Sequence, residues 1–162
     1  MVPSVVATGL SESAAGIVLS VASLTSITVR MAVGGWADRT GGSPVVLTAR
    51  MMLVGGAAAL ALAAGLPTPL MVLAAMVALG AGWGWTGLAF LAGVRSNPSA
   101  PAAAAGVVLT GLGAGSALGP LAFGLLVGAG GYRTAWVAMA GAAVLGALLA
   151  RSSQPALAPP RP

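Results

Sequence analysis

The chain has no cysteine, no histidine and no lysine in its 162 residues, and only two acidic residues. Without cysteine there is neither a disulfide nor a thiolate metal site. Without histidine the commonest proton shuttle and metal ligand is missing. With His, Cys and Lys all absent, no nucleophile–base pair can be assembled, which argues against an enzyme. No glycine-rich phosphate loop occurs, so no nucleotide hydrolysis is expected, and neither a metal nor a cofactor is expected. Charge itself is scarce: 6% of residues are charged, against about 25% in an ordinary soluble domain. A soluble protein of this length could not cover its surface with so few charges, so the medium around most of the chain is lipid. The net charge of +5 comes entirely from arginine. A nucleic-acid binder clusters such charge on one soluble face. Here the arginines stand singly at the ends of apolar runs, so no nucleic-acid partner is expected. The lack of lysine beside abundant Ala, Gly and Arg points to a GC-rich bacterial genome.

What remains is apolar. Hydrophobic residues make up 58% of the chain. The pattern predicts an all-α integral membrane protein with five transmembrane helices, at about 14–36, 45–65, 70–94, 102–127 and 134–150. Each is near the ~20 residues that cross a bilayer core. Residues 1–13 read as an extracytoplasmic lead-in, with Ser11 as the helix N-cap and Glu12 in the first turn, where the helix dipole favours it. The first nine residues lack the basic start and the long apolar run of a secretory signal. Leu66-Pro67-Thr68-Pro69 is a turn, Arg95 to Pro101 a polar loop, and Gly128-Ala129-Gly130-Gly131 a break between the last two spans. Residues 151–162 form a Pro-rich tail expected to be disordered and cytoplasmic.

If the spans alternate, Arg39, Arg50, Arg95, Arg151 and Arg161 fall on one side, with Arg30 toward it. Arg133 and Glu12 fall on the other. The positive-inside rule then places the N-terminus outside and the C-terminus in the cytoplasm.

One stretch breaks the apolar sequence conspicuously: Gly34-Gly35-Trp36-Ala37-Asp38-Arg39-Thr40-Gly41-Gly42. An Asp-Arg pair flanked by glycines, between two membrane helices, reads as a tight cytoplasmic hairpin. Gly34-x-x-x-Asp38-Arg39-x-Gly41 resembles the loop motif of the major facilitator superfamily, which joins that family's second and third helices and recurs, weaker, between the eighth and ninth. Gly82-Trp83-Gly84-Trp85, Arg95-x-Asn97-Pro98, Gly115-x-x-x-Gly119-Pro120-x-x-x-Gly124 and Gly131-Tyr132-Arg133-x-x-Trp136 resemble later helices of bacterial members. Gly42 and Ser43 stand where basic residues usually follow, which suits the weaker copy. The resemblance covers nearly the whole chain and aligns its spans with the family's eighth to twelfth helices. It implies two-half transporters with the solute site at the midplane between halves. On that alignment this chain lacks an N-terminal half, and five helices alone would not enclose the cavity.

The residues suggest roles, each with a plainer alternative. Asp38 could cap backbone N–H groups, or pair with Arg39 or a neighbouring helix end, and so latch one state of a rocking bundle. Gly34 and Gly41 would permit close approach and unusual dihedrals. The alternative is a solvated turn. Arg30 lies roughly 12 Å deeper along the helix than Asp38. With Ser23 and Ser26 at helical spacing it forms a polar stripe, either facing an anionic solute or gating the cavity, or snorkelling to headgroups. Trp83 and Thr86, with Phe90 on the same face, sit among glycines near the middle of the third span. A glycine-interrupted helix there points to a binding site, or else to aromatic packing over a close crossing. Gly111, Gly115, Gly119 and Gly124 with Pro120 resemble a small-residue packing face with a proline kink and a hinge.

The sequence therefore predicts secondary transport of a small solute by alternating access, with Arg30 favouring an anionic or polar one. Its partners would be the bilayer, the solute, and the missing transporter half or partner helices. The other readings are a non-transporting fragment or accessory subunit, and a half-size transporter that dimerises.

Overall fold

A computed structural model describes residues 11–153. The lead-in through Leu10 and the tail from residue 154 lie outside the described residues, and so do the expectations placed on them.

The described residues are helical, with no strand among them. The elements are α1 (Glu12–Thr40), α2 (Pro44–Ala63), α3 (Thr68–Gly84), α4 (Thr86–Ser96) and α5 (Pro101–Ser152). Local chemistry sets several of the ends. Ser11 caps α1 with extended backbone, its hydroxyl accepting from the Ala14 N–H at 3.3 Å, which satisfies one of the donors that open a helix. At the other end Gly41 adopts φ 63° and its N–H returns to the Ala37 carbonyl. That left-handed cap is where the motif's glycine is required. Of the helices that follow, α2, α3 and α5 start on prolines, at or beside their first residue, where the missing N–H costs nothing.

The stretch expected as one span over 70–94 lies within the continuous apolar stretch Thr68–Ser96, which a turn at Trp85 divides into α3 and α4. Gly80, Gly82, Gly84 and Gly87 surround the junction and weaken it. The stretches expected at 102–127 and 134–150 are two helical limbs within Pro101–Ser152, separated at Gly131, whose φ of 76° and ψ of 178° fall inside the expected Gly128–Gly131 break. The break is thus a single residue in a region that side chains rarely enter. Pro120 lies inside the first limb, where the backbone keeps helical dihedrals. Among the described residues, three helical stretches are long and apolar enough to cross a membrane: Pro44–Ala63, Thr68–Ser96 and Pro101–Ser152.

α3 packs against both α1 and α2, and α2 packs in turn against α5, so α3 stands between the two helices that the Gly41 turn joins. One cluster draws Leu62 from α2, Met71 and Ala75 from α3, and Trp136 and Ala140 from α5. Phe123 stacks edge-on against Trp136, with ring centroids 4.9 Å apart, tying the two limbs of α5 across Gly131. A second cluster joins Ala37, Met51 and Leu88 from α1, α2 and α4. Most buried residues are alanine and glycine, while Leu24, Met31, Leu125 and Leu148 stand exposed. That inversion suits lipid, where helices meet through small residues and present large apolar ones outward. The closest crossing is α2 on α3: a Cβ added at Gly55 would lie 2.9 Å from the Gly82 Cα.

Candidate functional site

A groove of about 370 Å³ opens between α1 and the α3–α4 junction. From α1 it takes Arg30, Gly34 and Asp38, spaced at one and two turns so that all three share a face. Across from them, Gly84 and Gly87 flank the junction, and Leu88, Phe90, Leu91 and Val94 of α4 line the wall.

Arg30 marks one end. Its Nη2 donates to the Trp83 carbonyl oxygen at 3.2 Å. The same oxygen accepts from the Thr86 hydroxyl at 3.0 Å. Two side chains thus converge on a carbonyl at the helix junction. The Arg30 stem lies over Gly87, whose added Cβ would fall 3.7 Å from the Arg30 Cγ.

Asp38 marks the other end. Its Oδ1 faces the Arg95 Nη2 at 3.4 Å, linking the last turn of α1 to the last turn of α4. Both side chains are more than half exposed, so in water such a pair contributes about 0–1 kcal/mol. Its significance is positional: it joins two helix ends distant in sequence. Arg39, the neighbour that the motif offers as a partner, instead lies exposed in the last turn of α1, where it complements the helix dipole.

The structure therefore brings together Arg30, Gly34, Asp38, Thr86 and the backbone of Trp83. It does not bring the serine stripe to them. Ser26 is buried, Ser23 is exposed, and neither lines the groove. Elsewhere on α1, Ser20, Thr25 and Thr28 each donate to the carbonyl four residues earlier, so their hydroxyls are satisfied within the helix. The Trp83 ring is half exposed; what it offers Arg30 is its carbonyl oxygen. Gly34 contributes room, since an added Cβ there meets nothing within 4 Å. Gly111, Gly115, Gly119 and Gly124 meet nothing within 4 Å either, and Pro120 is exposed beside them. Gly111, Gly115 and Gly119 share a face at four-residue spacing, Gly124 lies round from it, and all four are exposed.

Beyond Phe90, the sequence reading does not name Leu88, Leu91 and Val94 of the α4 wall, nor Arg95 as the partner of Asp38. The signal for Arg95 was its place at the same membrane edge as Asp38, opposite in charge. Among the described residues no cluster of His, Cys, Asp or Glu could hold a metal.

No curated protein and no solved structure shows significant similarity to the chain. The profile of the Major Facilitator Superfamily, by contrast, matches residues 1–162. The glycine-capped Asp38-Arg39 turn, the apolar helices with small residues at their crossings and that full-length match agree, and the chain belongs to the Major Facilitator Superfamily.

Proposed function

We propose that the chain takes part in secondary transport of a small solute by alternating access, and that its helices correspond to the family's eighth to twelfth. In this reading the chain crosses the bilayer five times, at about 14–36, 45–65, 70–94, 102–127 and 134–150. Residues 1–13 lie outside, and residues 151–162 lie in the cytoplasm of a bacterial cell. One observation carries the reading: the groove holds a cation at one end and an interhelical ion pair at the other. Arg30 faces the solute, an anion or a polar molecule. The Asp38–Arg95 pair, together with the turn from Arg39 to Gly41, latches one state of the bundle. An exposed pair suits that task, because a tie worth about 1 kcal/mol biases an equilibrium without freezing it.

The open face of Gly111, Gly115 and Gly119, with Gly124 round from it, favours a second reading, in which the chain packs against partner helices as an accessory or fragment and moves nothing alone. Small residues in such a row let helix backbones approach closely.

Counterflow separates the two. The purified chain is reconstituted into liposomes and tested with labelled benzoate, glucose and alanine as anionic, neutral and zwitterionic solutes. Saturable counterflow of any of them above protein-free vesicles supports transport by this chain. Background flux for all three, with the protein inserted, favours the accessory reading.

A further inference from the structure

We infer that the groove binds a small organic monocarboxylate with an apolar body, held at its charged end by Arg30. The inference rests on the groove being the solute site, but binding requires no flux and is tested without it.

The argument starts from charge. The chain has two acidic residues, Glu12 and Asp38. Asp38 lies eight residues from Arg30, roughly 12 Å along the helix, and is engaged by Arg95. Glu12 lies eighteen residues away, roughly 27 Å. Arg30 meets only a carbonyl oxygen among the described residues. The groove thus holds one cation without a carboxylate. Beside lipid such a charge is costly until an anion joins it.

The number of charges fixes the ligand's valence. Asp38, the carboxylate in the lining, is paired with Arg95, which lies outside the lining. A dianion would replace a surplus positive charge with a surplus negative one, and no further cation lines the groove. A monoanion leaves the site neutral.

The walls fix the ligand's body. Leu88, Phe90, Leu91 and Val94 supply hydrocarbon, and the glycines around them supply bare backbone surface. Beyond the charged end, a polar ligand would lose its water and gain no partner. The headgroup follows from the guanidinium. It is planar and carries five N–H donors, of which one is spent on the Trp83 carbonyl. A carboxylate matches the planar fork bidentately. The volume, about 370 Å³, lies at the small end of ligand pockets.

A lipid phosphate could supply the same anion, and the experiment separates the sources. Binding of benzoate, hexanoate, benzamide and phthalate to the full chain is measured calorimetrically in nanodiscs of phosphatidylcholine, with and without phosphatidylglycerol. Benzoate or hexanoate should bind saturably at one site per chain in both lipids. Benzamide, the neutral relative, and phthalate, the dianion, should bind at least tenfold more weakly. Arg30→Gln should weaken benzoate at least tenfold, and Arg30→Lys should recover part of that loss. Gly34→Leu, at a position where a Cβ meets nothing, should fill the groove and abolish binding in a folded protein. Equal affinity for benzamide, or unchanged affinity in Arg30→Gln, overturns the inference even where counterflow succeeds. Absence of binding by both monocarboxylates in both lipids also overturns it, as expected if a headgroup fills the groove. Saturable benzoate binding without counterflow sustains the inference and removes transport by the isolated chain.

Discussion

The Arg30 guanidinium on α1 and the Trp83 carbonyl at the end of α3 are hydrogen-bonded at 3.2 Å, joining residues 53 apart in sequence. The bond fastens α1 to the junction of α3 and α4. Thr86 adds a second donor to the same oxygen. Thr86→Val keeps the branched shape and removes that donor. Amides around the junction, from Trp85 to Leu88, should then exchange with solvent faster, while those of α2 hold their rates. Hydrogen-exchange mass spectrometry reads both at once.

The α2–α3 crossing leaves no room at Gly55. An added Cβ would sit 2.9 Å from the Gly82 Cα and 3.1 Å from its nitrogen, and backbone cannot yield as a flexible side chain does. Gly55→Ala should therefore destabilise by about 1–3 kcal/mol. Gly111→Ala has open space and should be neutral, or stabilising by up to about 1 kcal/mol through helix propensity. Reversible unfolding in mixed micelles compares them.

Thr48 is buried in α2, and among the described residues its hydroxyl has no hydrogen-bond partner. An unsatisfied buried hydroxyl costs about 1–3 kcal/mol. Thr48→Val preserves the shape and removes the polar atom. The variant should be as stable as the parent or more so in the same assay, and a loss of stability would show that the hydroxyl has a partner.

Gly131 carries the turn between the limbs of α5 at φ 76° and ψ 178°. Gly131→Ala should cost about 1–3 kcal/mol and weaken the Phe123–Trp136 contact that spans the turn. The tryptophan emission of a variant retaining only Trp136 should shift as that ring pair opens.

Much of this arrangement was legible in the sequence, because hydropathy and punctuation act locally. Ser11 as a cap, Gly41 as a left-handed stop and the weakness around Gly82 and Gly84 all follow from neighbouring residues. The helix break at Gly131 was legible as a glycine cluster, though not its narrowing to one residue. Pairings across the bundle were the least legible. Asp38 had Arg39 beside it and Arg95 far away in sequence, and only tertiary placement chose between them. Hydroxyls on a membrane helix can return to their own backbone, as Ser20, Thr25 and Thr28 do.

The central claim is that the chain alternates between states and that the Asp38–Arg95 contact closes one of them. Because the chain has no cysteine, Asp38→Cys/Arg95→Cys can be bridged with a bifunctional maleimide containing an internal disulfide. Counterflow of the best-transported solute should fall at least tenfold once the bridge forms and return when it is reduced. Full-rate counterflow with both cysteines quantitatively bridged would contradict the account.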